Sequence, residues 1–198
     1  MWDIGCNIGF FSIFAAMAND IKVFAFDAMA NNIAGLVKNL KLNGMEDRVT
    51  PLCLPLTSKT GFYPLQIPAQ AFETGGSGAE LFSPSRPKTY DTPQTLYLNS
   101  LAYALDDLTE QAGLPIPNHI KMDVDGVEDM VIAGSMKTLE NSKVRSLMFE
   151  ISADLYDEVL LKLSGLGFNH DKRVSTDEGI PIIDGSSGTN NFFSRSNQ

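Results

Sequence analysis

The first fourteen residues constrain this chain more than any other stretch. Asp3-Ile4-Gly5-Cys6-Asn7-Ile8-Gly9 leads straight into the apolar run Phe10-Phe11-Ser12-Ile13-Phe14, so an acid precedes a glycine-rich turn and a helix that is expected to reach Ala18. Glycine permits positive φ or a close backbone approach, and Asn7 tolerates the left-handed conformation better than most residues. Such a turn can present its amides, and the partial positive charge of a helix start, to a carboxylate or phosphate. Asp3 argues against a phosphate, which its charge would repel. It suits a ligand that bears an amine, such as the amino-acid end of S-adenosylmethionine. The spacing Gly5-x-x-x-Gly9 also departs from the G-x-G-x-x-G dinucleotide fingerprint. A strand-to-helix connection with no ligand satisfies the same residues and stays open at this point.

At 198 residues the chain is expected to form one domain over 1–198, burying roughly 70% of the surface its unfolded form exposes. Its net charge of −9 and pI near 4.6 disfavour nucleic acid and anionic membranes, which require basic surfaces. Small molecules or proteins are the expected partners, with a homo-oligomer left open. No apolar run reaches the length of a membrane span, and no basic segment precedes a short apolar stretch. Cys6 and Cys53 are the two cysteines, too few for a disulfide framework, so the reducing cytoplasm is the expected location. Only Met1 and Trp2 precede Asp3, too little for a buried parallel strand of ordinary length. Either the chain is a fragment of a longer protein, or residues outside this sequence complete the strand.

Strand and helix patterns then alternate, which implies a parallel sheet. Ile21–Phe26 is β-rich and ends in Asp27, where nucleoside-binding α/β folds carry the carboxylate that accepts ribose hydroxyls, roughly 20 residues after the glycine turn. Capping of the next helix would use Asp27 equally well. Ile33, Leu36, Val37 and Leu40 mark a helix that stops at Asn43-Gly44. Residues 48–54 read as a third strand, with Pro51 placing it near an edge. Residues 57–96 break the rhythm and predict a flap or hairpin insertion, most flexible at Thr74-Gly75-Gly76-Ser77-Gly78. Leu101, Ala104, Leu105, Leu108 and Ala112 then predict a helix.

The second informative stretch is His119-Ile120-Lys121-Met122-Asp123-Val124-Asp125-Gly126-Val127-Glu128, a strand ending in carboxylates followed by a helix over 128–139. Ligands of open α/β sheets bind outside the carboxyl ends of the strands, so Asp123 is expected to share a crevice with Gly5–Gly9. Crowded carboxylates raise one pKa to make a general base, or together hold a divalent cation. Asp123 is the first candidate for the base and Glu128 the second. Capping by Asp125 and a helix-dipole role for Glu128 are the structural alternatives. Ser146–Ile151 is the next strand, with Glu150 near its end. A helix over 155–163 follows, and Ile180–Gly185 with Asn191–Phe193 reads as a closing antiparallel pair.

Five blocks, Asp-Ile-Gly-Cys-Asn-Ile-Gly at 3–9, Phe-Asp at 26–27, Lys-Asn-Leu-Lys-Leu-Asn-Gly at 38–44, Lys-Met-Asp-Val-Asp-Gly-Val-Glu at 121–128 and Phe-Glu at 149–150, together resemble the FkbM family of S-adenosylmethionine-dependent methyltransferases. The resemblance implies a class I methyltransferase fold, a Rossmann-like open twisted sheet of seven strands, mostly parallel with an antiparallel last strand, and helices on both faces. It implies S-adenosylmethionine as cofactor and methyl transfer to a hydroxyl of a sugar, polyketide or similar small molecule, with no metal expected. By position, Asp3, Gly5, Asn7 and Gly9 would surround the methionine part, Asp27 would hold the ribose, and Asp123 would lie beside the sulfonium and the acceptor. The chain departs from the family pattern in having Asp at 27 and 125 where Glu is common, and Asn99 where Asp is common. Leu54-Pro55-Leu56 supplies no acid for an adenine amine. A nicotinamide oxidoreductase on the same sheet and a degenerate binding or scaffold protein are the competing readings.

Overall fold

Strand β1 (Trp2–Ile4) is only three residues long, yet every one of them is buried. Its brevity is compensated by position. It lies inside a seven-stranded sheet, hydrogen-bonded in parallel to β2 (Val23–Asp27) on one side and β7 (His119–Met122) on the other, with Ile4 opposite both Phe26 and Met122. The computed structural model describes residues 1–18, 20–81, 94–174 and 189–195. With β3 (Val49–Cys53), β8 (Ser146–Ile151), β9 (Asn169–Val174) and β10 (Thr189–Ser194), the strand order is β3-β2-β1-β7-β8-β10-β9. All pairings from β3 to β8 are parallel, and β10 runs antiparallel to both its neighbours. Pro51, unable to donate a ladder bond, sits in edge strand β3.

Helices cover both faces because successive strand residues point to opposite sides. Helix α1 (Phe10–Ala18) and helix α2 (Ala30–Asn43) bury Ala16, Leu36 and Leu40 against Val23, Ala25 and Val49. Gly44, at φ 64, ends α2 with its amide on the Leu40 carbonyl. Helix α1 turns Phe10, Phe14 and Met17 outward. The opposite face holds α3 (Leu105–Glu110), α4 (Glu128–Ala133), α5 (Met136–Glu140) and α6 (Tyr156–Gly165), whose Leu105, Ile132, Leu139 and Leu163 pack with Trp2, Phe26 and Phe149. Among the described residues no helix is long and apolar enough to cross a membrane.

Three regions differ from the sequence-based expectation. The helix expected over 128–139 is broken into α4 and α5 at Gly134-Ser135. A Cβ on Gly134 would lie 2.0 Å from the Thr57 carbonyl oxygen, so the chain is pressed too closely there for a continuous helix surface. Asp106 restarts the helix from outside, accepting the amides of Lys137 at 3.0 Å and Thr138 at 2.8 Å. The helix expected from Leu101 begins only at Leu105, because Leu101 and Ala102 extend β6 (Leu96–Ala102), paired along its whole length with β4 (Gly61–Ile67). With β5 (Glu80–Leu81) these strands make a separate antiparallel sheet, order β5-β4-β6, whose Leu65, Ile67 and Leu81 join the main core. Residues 82–93 of the expected insertion, and the strand expected at Ile180–Gly185, lie outside the described residues.

Candidate active site

The order of the central strands reverses at β1, which has β2 on one side and β7 on the other. Such a switch point opens a crevice at the carboxyl ends of the strands. The glycine turn lies there, with positive φ at Gly5 (73°), Asn7 (50°) and Gly9 (90°). Its amides are used inside the protein: those of Gly5 and Cys6 both donate to the Phe26 carbonyl at 2.9 Å, that of Asn7 to Asp27 Oδ2 at 2.9 Å, that of Ile8 to Asn7 Oδ1 at 2.7 Å and that of Gly9 to the Cys6 carbonyl at 2.8 Å. The turn therefore shapes the site by placing Asp27 rather than by offering free amides. Asp27 Oδ1 also accepts the Met29 amide at 2.8 Å and Asn32 Nδ2 at 3.3 Å. Burial pushes the Asp27 carboxyl up, and these donors oppose the shift.

A row of charges crosses from β1 to β8. Asp3 is fully buried and accepts the Ser12 hydroxyl at 2.6 Å. Lys121, opposite it in register, is 3% exposed. Its ammonium lies 3.6 Å from Asp3 Oδ1 and 3.1 Å from Asp123 Oδ2, donates to the Gly5 carbonyl at 3.2 Å and sits 5.0 Å from the centre of the Phe11 ring. Burial raises the Asp3 pKa more than Lys121 lowers it. The β7–β8 register, Met122 opposite Phe149, brings the next residues, Asp123 and Glu150, together at the strand ends. Glu150 is half-buried there. Burial first, then the Asp123 and Asp125 charges, push its carboxyl up to about 7, against the pull of Lys121.

The cleft itself encloses about 290 Å³, the small end of the range for small-molecule sites. Gly5, Asn7, Asp27, Asp123 and Asp125 line its sheet side, Leu54, Pro55 and Leu56 the end of β3, and Gly76 to Ala79 the wall opposite. Gly5 is needed because a Cβ would fall 1.8 Å from the Asp123 carbonyl oxygen. Thus Gly5, Asn7, Asp27 and Asp123 meet at one cavity. The other sequence candidates lie elsewhere. Asp3 is sealed beneath Lys121 and Ser12, Gly9 packs against Leu36, whose Cδ1 would lie 2.1 Å from an added Cβ, and Glu128, 4% exposed, is buried at the start of α4 while its neighbours Val127 and Val131 line the cleft. Asn99 is exposed on β6, paired with Pro64. The sequence does not mark Asn32 and marks Glu150 only as a strand-end acid with no role; the strand register and the fold of the insertion bring them to the site. Among the described residues no group of three or more His, Cys, Asp or Glu is arranged to hold a metal ion.

Comparison with solved structures finds the same fold in a methyltransferase FkbM from Methylobacillus flagellatus KT, at 18% identity and a TM-score of 0.60, covering 98% of this chain and 42% of that one. A precorrin-6y C5,15-methyltransferase from Geobacter metallireducens GS-15 matches at 13% identity and a TM-score of 0.55, over 99% of this chain and 79% of that one. An rRNA methylase from Streptococcus thermophilus matches at 14% identity and a TM-score of 0.56, over 98% and 84%. This chain thus spans less than half the length of the FkbM structure. No curated protein matches it. The family model described as the methyltransferase FkbM domain matches residues 3–170, spanning β1 to the start of β9 and every residue of the cleft. The chain belongs to the methyltransferase FkbM domain family.

Proposed function

We propose that this chain binds S-adenosylmethionine in the cleft and methylates the oxygen of a hydroxyl on a small molecule such as a sugar or polyketide. The observation that carries the reading is Asp27. A carboxylate offers about four acceptor positions, and the three hydrogen bonds described above leave capacity for a ribose hydroxyl on the side that lines the cleft. Ala28, Met29, Leu54 and Pro55 continue from it as a largely apolar slot, suited to a flat base held by apolar and backbone contact. These residues fit the cofactor, which when bound supplies an electrophilic methyl on a positively charged sulfur.

The chain's own chemistry lies at the other end. Lys121 fixes one oxygen of Asp123, which lies beside the Glu150 carboxyl at the strand ends. With its carboxyl at about 7, Glu150 loses its proton near neutral pH and can then take the proton of an alcohol, a poor nucleophile unless a base assists it. Glu150 is half-exposed and returns the proton to solvent. Holding the two reactants together supplies much of the remaining acceleration.

Calorimetry with S-adenosylhomocysteine tests the reading: the wild type binds, and Asp27→Ala weakens binding at least tenfold, about 1.4 kcal/mol. Equal affinity for the two proteins refutes the ribose assignment, and no binding to the wild type refutes the cofactor. Labelled methyl incorporation into a panel of sugar and polyketide hydroxyls identifies the acceptor.

A further inference from the structure

Asn32 is 2% exposed, and its amide is pulled in two directions. Nδ2 donates both to Asp27 Oδ1 at 3.3 Å and to the Gly76 carbonyl at 3.1 Å, while Oδ1 accepts the Gly75 amide at 2.8 Å. Asn7 repeats the pattern, with its backbone amide on Asp27 Oδ2 and its Nδ2 on the Gly75 carbonyl at 3.1 Å. At the far end the Gly78 amide donates to Asp125 Oδ2 at 2.9 Å. The segment 75–78 is therefore fastened at one end to α2 and the glycine turn, through Asn32 and Asn7, and at the other to Asp125, just past the end of β7.

Its glycines match that course. Gly75 and Gly78 both stand at φ 88°, and a Cβ on Gly76 would lie 2.2 Å from the Gln70 carbonyl oxygen. Gly76, Ser77 and Gly78 form the cleft wall facing Asp27. We infer that residues 75–78 are a strap that closes over the cofactor, and that Asn32 is a positioning residue that couples strap closure to Asp27. A ribose hydroxyl donating to Asp27 fixes the carboxylate that orients Asn32, which holds Gly75 and Gly76 down. This inference rests on the cofactor reading above.

Hydrogen exchange at the Gly75 and Gly78 amides, read together with the dissociation rate of S-adenosylhomocysteine, tests it. In the wild type the ligand slows exchange at both amides at least tenfold. In Asn32→Ala that protection is lost and the ligand dissociates about tenfold faster, the scale of one or two hydrogen bonds. Asp125→Ala, which cuts the strap at its other end, gives the same pair of changes and serves if Asn32→Ala fails to fold. Ligand binding that leaves both amides exchanging as in the free protein, or wild-type dissociation rates in the folded variants, overturns the strap alone. Failure of the wild type to bind S-adenosylhomocysteine overturns the cofactor reading, and the strap's role with it.

Discussion

Replacing Glu150 by glutamine keeps the shape of the side chain and removes its charge, so it isolates what that charge costs. Burial and the Asp123 and Asp125 carboxylates hold the Glu150 carboxyl at about 7 instead of its ordinary 4.5. Lys121 acts in the opposite sense, and the residue across from it on β10 is the neutral Asn190. Below pH 4.5 the group is protonated in both folded and unfolded chains and contributes no penalty. Between 4.5 and 7 the unfolded chain ionises first, so stability falls as pH rises, and the loss is complete above 7. At 1.36 kcal/mol per pH unit the upper limit is about 3.4 kcal/mol; because the side chain is half-exposed, screening reduces this to about 1–2 kcal/mol. Urea unfolding followed by the fluorescence of Trp2, the sole tryptophan and fully buried in β1, reads the difference. With a slope near 2 kcal/mol/M, the Glu150→Gln midpoint matches the wild type at pH 4.5 and exceeds it by about 0.5–1 M at pH 8. Midpoints that run parallel across this range would refute the raised carboxyl, and with it the proton-accepting role proposed for Glu150.

Two further outcomes follow from the geometry. Gly5→Ala and Gly44→Ala both impose a side chain on positive φ, 73° and 64°, but only the first meets an obstacle, the Asp123 carbonyl oxygen at 1.8 Å; thermal or urea unfolding should show a loss of about 1–2 kcal/mol for Gly44→Ala and at least about 3 kcal/mol for Gly5→Ala. Arg195→Ala removes a guanidinium that donates to the carbonyls of Asn141, Val144 and Leu166 and stacks on Phe168 at 4.1 Å, and should cost about 2–4 kcal/mol in the same assay, with Arg195→Lys recovering only part of it.

Much of the main sheet was legible because its signals are local. Helix α2 shows its apolar period and its Asn43-Gly44 stop within fifteen residues, and Pro51 marks an edge strand by lacking a donor. The break at Gly134 and the late start of α3 were not legible, since they depend on Thr57 and on the β4–β6 pairing, partners far away in sequence. Strand β9, whose Asn169–Val174 reads as polar surface, exists because β10 gives it a ladder. The site divides in the same way. Asp27 and Asp123 are found by counting from the glycine turn and from strand ends. Glu150 acquires its chemistry from a register with β7, and Asn32 from glycines 43 and 44 residues on, distances that no periodicity reports. The glycines at 75–78, which by composition predict flexibility, here satisfy a left-handed φ at two positions and a close packing contact at the third.

The opening turn itself changes meaning on this account. The sequence predicts that Asp3 selects an amine-bearing ligand, but Asp3 is buried beside Lys121, and Lys121 in turn restrains Asp123. What the cleft presents is the carboxylates of Asp27, Asp123 and Asp125, while the Lys121 ammonium is nearly sealed from solvent. A dinucleotide pyrophosphate entering there would meet those carboxylates and find the amides of Gly5 to Gly9 already bonded inside the protein. A sulfonium would meet the same carboxylates as attraction. On the cofactor reading proposed above, discrimination between the two cofactor classes would rest on the residues the turn positions, and the turn's glycines matter because they let β1, β2 and β7 bring those residues together.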